Sequence, residues 1–165
     1  MNVLMRQSLA ALLLLFSIQA LAEDLYKIID PAQPTQVAAG KIEVVEVFWY
    51  GCPHCYDFEV YVVEWLEKKS ENVEFLRILG IFIDQWIPLA RAYYVAEQLD
   101  AIESIHKPLF EAIHKEKRNL NDQESLAKFF AEHGIDEKAF NDTYNSDAIN
   151  DMVKKAFVAG RRYQV

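Results

Sequence analysis

Cysteine is scarce, with only Cys52 and Cys55 in 165 residues. A small scaffold stapled by several disulfides is therefore excluded, because that architecture needs four or more cysteines in a short chain. The sequence also lacks any long block of Lys or Arg, and 17 Lys and Arg against 25 Asp and Glu give a formal net charge of −8. Nucleic acid is excluded as the main partner, since phosphate binding needs clustered positive charge. Internal repeats and low-complexity tracts are absent. No apolar run reaches the roughly 20 residues that a bilayer-spanning helix requires. What is present is 52% hydrophobic and 13% aromatic content, enough to bury a proper core. The length suits one domain, or two small ones.

Arg6, the apolar run from Leu9 to Phe16 and the small-x-small triplet Ala20-Leu21-Ala22 follow one another in the order of a secretory signal peptide. Residues 1–22 are accordingly set apart from the fold. The mature chain is expected to run from Glu23 to Val165, 143 residues, and without Arg6 it carries 16 positive and 25 negative charges, net −9. The competing reading, a core helix of the mature protein, does not account for that order of charge, run length and cleavage site. A soluble exported product is expected. In a bacterial cell its compartment would be the periplasm or beyond, where a thiol pair can be held oxidised.

Along the mature chain, Glu43 to Tyr50 (EVVEVFWY) is short, β-branched and aromatic, as in a strand buried on both faces. Cys55, Phe58, Val62, Trp65 and Leu66 then recur at helical spacing, and Pro53 suits the first turn of that helix. Val73 to Leu79 (VEFLRIL) is the next strand. From Trp86 the pattern is helical. One helix carries Leu89, Ala90, Tyr93, Ala96 and Leu99, and another carries Leu109, Phe110 and Ile113 and is expected to start at Pro108. Lys115 to Arg118 reads as a charged loop. Asn121 with Glu124 resembles a capping box opening a helix with Leu126, Phe129 and Phe130, and Gly134 is its expected stop. A short helix over Asp136 to Tyr144 follows. Ile149, Met152, Val153, Ala156, Phe157 and Gly160 trace the apolar stripe of a last helix.

The chemistry concentrates in Cys52-Pro53-His54-Cys55, between a strand and a helix. Disulfide exchange needs an attacking cysteine that is exposed and ionised. Cys52 at the helix N-terminus faces unpaired N–H groups and the positive end of the helix dipole, and His54 adds a donor or a charge nearby. Cys55, one turn in on the apolar face, is expected to be the shielded resolving thiol, and Pro53 fixes the turn. Each unit by which a thiolate pKa falls below ambient pH favours the reduced form by about 1.4 kcal/mol, roughly 30 mV for a two-electron couple. A stabilised thiolate thus makes the disulfide oxidising.

Three other readings stay open. A reductase or isomerase would need the pair kept reduced. A non-catalytic module would bind extended polypeptide or metal; metal would need further ligands, yet no second Cys pair exists, and His106, His114 and His133 show no ligand spacing with His54 and read as surface residues. A purely structural bridge would close a loop of only four residues, worth about 2 kcal/mol. Glu46 stands out because it interrupts the apolar strand six positions before Cys52. It is either an edge carboxylate paired with a lysine or a buried proton acceptor beneath Cys55, with Arg77 available as a partner. Trp49, Tyr50 and Trp86 either edge a groove that accepts polypeptide or pack in the core.

The run Phe48-Trp49-Tyr50-Gly51-Cys52-Pro53-His54-Cys55-Tyr56-Asp57-Phe58-Glu59 resembles the DsbA family of the thioredoxin superfamily. The likeness continues through Ala92-Tyr93-Tyr94, Pro108-Leu109-Phe110, Phe129-Phe130-Ala131-Glu132-His133-Gly134 and Tyr144-Asn145-Ser146. The resemblance implies an α/β, thioredoxin-like fold with an inserted helical domain. Residues 23–84 would be the thioredoxin-like N-terminal part with the CPHC motif, 85–147 the helical insertion, and 148–165 a helix returning to the first part. It implies Cys52 as nucleophile, Cys55 as resolving cysteine, His54 as thiolate stabiliser, Glu46 as buried acid and Pro53 as the fixed residue of the motif. No external cofactor is implied, because the Cys52–Cys55 disulfide is itself the redox group. The implied partners are unfolded secreted polypeptides and a quinone-linked membrane oxidase of the DsbB type, with the chain acting as a monomer.

In this family a cis-proline loop, two more strands and a terminal helix follow the last helix seen here. None of Pro31, Pro34, Pro53, Pro88 or Pro108 stands at that loop. The reading therefore expects the last strands and terminal helix to be missing, with an open apolar sheet edge. On that expectation the chain alone is unstable and catalyses exchange more weakly than a longer relative. A cooperative thermal transition together with full relative activity would contradict it.

Overall fold

β-Branched and aromatic residues dominate Ile42–Phe48 (IEVVEVF) and Val73–Leu79 (VEFLRIL), and both segments are strands, β1 and β2. They pair in parallel, with Glu46 opposite Arg77 and Phe48 opposite Leu79. Parallel neighbours need a crossover of a dozen or more residues. The 14-residue helix α1, Pro53–Leu66, provides it, with Pro53 in its first turn. β1 stops at Phe48 rather than Tyr50, because Trp49 to Cys52 fold into a turn closed by the Cys52 N–H on the Trp49 carbonyl at 3.0 Å. The expectation that β1 is buried on both faces is also corrected. The sheet has two strands among the described residues, and within β1 only Phe48 is fully buried.

The computed structural model describes residues 26–164. The signal-peptide reading of residues 1–22 lies outside them. The chain divides into Met1–Ala32, whose described residues carry no helix or strand, and Gln33–Val165.

Beyond β2 a single 3-10 turn, Asp84–Trp86, leads into five helices: α2 (Ile87–Gln98), α3 (Ile102–His114), α4 (Gln123–Glu132), α5 (Glu137–Tyr144) and α6 (Asp147–Arg162). Two of their starts differ from the sequence reading. Pro108 lies inside α3 rather than at its first turn. Proline in a helix interior forfeits one ladder bond at a cost of about 3 kcal/mol. Burial of Ile105 and His106 before it and of Leu109, Phe110 and Ala112 after it offsets that cost. The cap of α4 is Asp122, not Asn121, since the Asp122 carboxylate accepts the Ser125 N–H at 2.8 Å. Gly134 does end α4, in the left-handed region at φ +86 that glycine tolerates without strain.

The core is aromatic and sits mainly among the helices. Phe48, Tyr50, Tyr93 and Phe110 meet edge-on or tilted where β1 ends. Farther along, Phe130 packs on Phe140 at 4.5 Å, and Phe140 on Tyr144. α2 threads between these clusters on Ala90, Ala92 and Ala96, all completely buried. In α6, Ile149, Ala156 and Gly160 are buried as the stripe predicts, whereas Phe157 is exposed beside Phe82, Ile83 and Val158. The apolar face of α1 is likewise open. Val62 is its only buried residue, and Phe58 and Trp65 are exposed because the narrow two-stranded sheet offers them little to pack against.

The apolar side chain of Phe130 is fully buried. Phe130→Ala is expected to destabilise the fold by about 3–5 kcal/mol, measured by urea denaturation; a loss under about 1 kcal/mol would place the core elsewhere.

Candidate active site

Cys52 is the N-cap of α1. Its backbone is extended, at φ −83 and ψ 116, and its Sγ accepts the Cys55 N–H at 3.4 Å. The sulfur thereby takes the place that an oxygen fills in an ordinary cap, next to the first-turn amides and the positive end of the dipole. Pro53 and His54 are exposed on that first turn, while both cysteines are half-buried. Cys55 is therefore less shielded than the sequence reading expected. Its environment still differs sharply from that of a free thiol. Burial first, then the neighbouring Cys52 and Glu46, push Cys55 up to about 11 against an opposing backbone hydrogen bond at Trp49.

The turn before Cys52 is fixed by aromatic packing. A Cβ on Gly51 would collide with the Trp49 ring, so only glycine lets that ring fold back over the turn. The ring then stacks on Trp86, with centroids 4.0 Å apart and planes 6° from parallel. Of the three groove candidates, Tyr50 takes the core alternative, being fully buried, while Trp49 and Trp86 are half-buried.

Beneath the cysteines lies a chain of charges. Arg77 Nε donates to Glu46 at 2.9 Å, and its Nη2 reaches both oxygens of Glu59 at 2.8 Å. All three side chains are 12–13% exposed. Glu46 is thus paired and largely buried, with the arginine that the sequence reading had named. Glu59 was missed, although a signal existed. It lies four residues after Cys55 and so on the same helical face.

His106 Nε2 approaches Glu59 at 3.3 Å, and its Nδ1 lies 2.7 Å from the Tyr50 hydroxyl. Burial above all, with Tyr93, keeps the Tyr50 phenol protonated by raising it well above its ordinary value. The expectation that the remaining histidines are surface residues is corrected. His106 is buried, His114 is half-buried with Nε2 2.7 Å from the Tyr50 carbonyl, and His133 is half-buried against Phe129. Among the described residues no group of three His, Cys, Asp or Glu side chains is placed to hold a metal ion.

Residues 76–165 match the family described as the DSBA-like thioredoxin domain. The whole chain is 38% identical to the thiol:disulfide interchange protein DsbA of Pseudomonas aeruginosa, covering 80% of that protein. The chain belongs to the DsbA family. A Burkholderia cepacia DsbA is 37% identical over 79% of this chain, which spans 62% of that relative's length. The crystal structure of Pseudomonas aeruginosa DsbA superposes with a TM-score of 0.75 at 42% identity, covering 81% of this chain and 70% of that one. That of DsbA from Xylella fastidiosa gives 0.72 at 33%, covering 77% and 70%. The α/β, thioredoxin-like DsbA fold expected from the sequence is therefore present, and the family is one of disulfide oxidoreductases.

In this DsbA-family chain Glu59 reports on the charge chain. Burial alone would raise its carboxyl, but His106 and Arg77 outweigh burial and hold it below the usual range. The folded state therefore binds fewer protons there than the unfolded state. The resulting stability is complete above the ordinary carboxylate value of about 4.3 and is lost as pH falls through the lower folded value. Urea midpoints measured between about pH 5 and 3 are expected to fall steeply for the native chain and less steeply for Glu59→Gln; equal slopes would contradict this account.

Proposed function

We propose that this chain is a periplasmic thiol:disulfide oxidoreductase that donates the Cys52–Cys55 disulfide to folding secreted proteins. The observation that carries the reading is the asymmetry of the two sulfurs. Cys52 caps α1 and receives the Cys55 amide, whereas burial pushes Cys55 up to about 11. A thiolate is therefore favoured at Cys52 and disfavoured at Cys55.

The exchange follows from that difference. A substrate thiolate attacks Cys52 Sγ, the Cys52–Cys55 bond breaks, and Cys55 leaves and takes up a proton. The substrate is then joined to Cys52 in a mixed disulfide. A second thiolate of the same substrate attacks the substrate sulfur bonded to Cys52, forming the substrate disulfide and releasing Cys52 as a thiolate stabilised at the helix N-terminus. The substrate is oxidised by two electrons and the pair is reduced. His54, exposed on the first turn, supports the Cys52 thiolate, and Pro53 fixes the turn.

Reoxidation runs the other way. Cys55 must lose its proton to attack a mixed disulfide at Cys52, and Glu46 beneath it accepts that proton while paired with Arg77. A quinone-linked membrane oxidase of the DsbB type is the proposed electron acceptor. Unfolded polypeptides leaving the export machinery are the proposed substrates, and no cofactor beyond the cysteine pair is required.

Cys52→Ser is expected to abolish exchange with a reduced polypeptide. Given a polypeptide that carries a disulfide, Cys55→Ser should instead accumulate a mixed disulfide at Cys52, whose thiolate displaces one substrate thiol with no Cys55 to resolve the new bond, read by non-reducing gel and mass. Glu46→Gln should leave the first attack intact and slow resolution by Cys55 about a hundredfold. Persistent exchange in Cys52→Ser would overturn the proposal.

A further inference from the structure

Tyr50 is held at both ends by one helix. It is the second residue of the turn Trp49 to Cys52, and the Cys52 N–H closes that turn on the Trp49 carbonyl. Its phenol meets His106 Nδ1 at 2.7 Å, and its carbonyl meets His114 Nε2 at the same distance. Both histidines belong to α3, eight residues and so about 12 Å apart along its axis.

The two contacts differ in what they demand of each ring. A carbonyl oxygen only accepts, so the bond to Tyr50 requires the proton on His114 Nε2. The His114 ring also lies flat on Tyr56, the residue after Cys55, with centroids 4.9 Å apart and planes 9° from parallel. His114 therefore touches the chain on both sides of the cysteine motif, two residues before Cys52 and one after Cys55. Lys115 reaches the Tyr56 side chain as well and is paired with Glu111 at 2.8 Å.

From this geometry we infer that His114 is a positioning residue for Cys52, its Nε2–H holding the Tyr50 carbonyl so that the turn presents the sulfur as the cap of α1. The role goes beyond the chemistry of the cysteines themselves. It explains how the helical segment after β2 bears on a site built from β1 and α1. It also gives His114 and His106, absent from any ligand pattern in the sequence, a shared task. The inference rests on the reading of Cys52 as the reacting thiol.

The test uses the reduced chain and the rate at which iodoacetamide alkylates Cys52 at pH 7, resolved from Cys55 by peptide mass. His114→Phe keeps a flat ring for Tyr56 but removes the donor. It is expected to slow alkylation of Cys52 about three- to tenfold, the worth of one hydrogen bond. His114→Gln restores an N–H at a similar reach and is expected to return the rate to within about twofold of the native chain. A native rate in a cooperatively melting His114→Phe, or a His114→Gln as slow as His114→Phe, would overturn the inference.

Nitrogen NMR of the native chain applies whether or not the variants fold. His114 is expected with its proton on Nε2, and a ring with Nε2 bare would overturn the inference. Equal alkylation of Cys52 and Cys55 in the native chain would instead overturn the redox reading on which the inference rests.

Discussion

Arg77 is placed where three elements converge. Its guanidinium leaves β2 and pairs with both Glu46 of β1 and Glu59 of α1 at 2.8–2.9 Å, in a setting where all three side chains are nearly out of solvent. Two carboxylates could not share that space without it, because an uncompensated buried charge costs several kcal/mol. The parallel register puts Glu46 and Arg77 directly opposite one another, so the ion pair and the strand pairing require each other. Glu59 then fixes the roll of α1 about its axis. Since Cys55 is four residues before Glu59 on the same face, the charge chain decides which side of α1 lies over the sheet. It leaves Cys52 at the mouth of the helix.

The same arrangement makes the two sulfurs unlike. Cys52 gains an amide hydrogen bond and the end of the dipole, while Cys55 gains burial and the proximity of Glu46. A disulfide formed between them would be broken in one direction more readily than in the other. The aromatic packing around the turn serves this asymmetry by holding the backbone still. Gly51 admits the Trp49 ring, Trp86 covers it, and α3 grips Tyr50 from the opposite side.

Much of this was legible in the residues, and the exceptions have physical causes. β2 has the bounds its β-branched run implies, and Cys52-Pro53-His54-Cys55 opens a helix as its proline suggests. The Glu46–Arg77 pair was visible as a carboxylate in one strand and a guanidinium in the next. Propensity misplaced the start of α3, because burial on both sides of Pro108 outweighs the lost bond and no local rule contains that burial. The cap of α4 shifted by one residue between two polar neighbours of similar capping strength, Asn121 and Asp122. His106 and His114 were unreadable as site residues because their partner is a tyrosine 56 and 64 positions away, a distance that only the fold closes. The open faces of α1 and α6 were misread for the opposite reason. Helical spacing shows which residues share a face, but not whether anything covers it.

The central claim is that α1 favours a thiolate at Cys52 and so makes the Cys52–Cys55 disulfide a donor. Its most direct measurement is the equilibrium of that pair with glutathione buffers, quenched by alkylation and read by mass. The account predicts a pair already reduced in mildly reducing buffer. A disulfide that persists until the buffer is strongly reducing would contradict it.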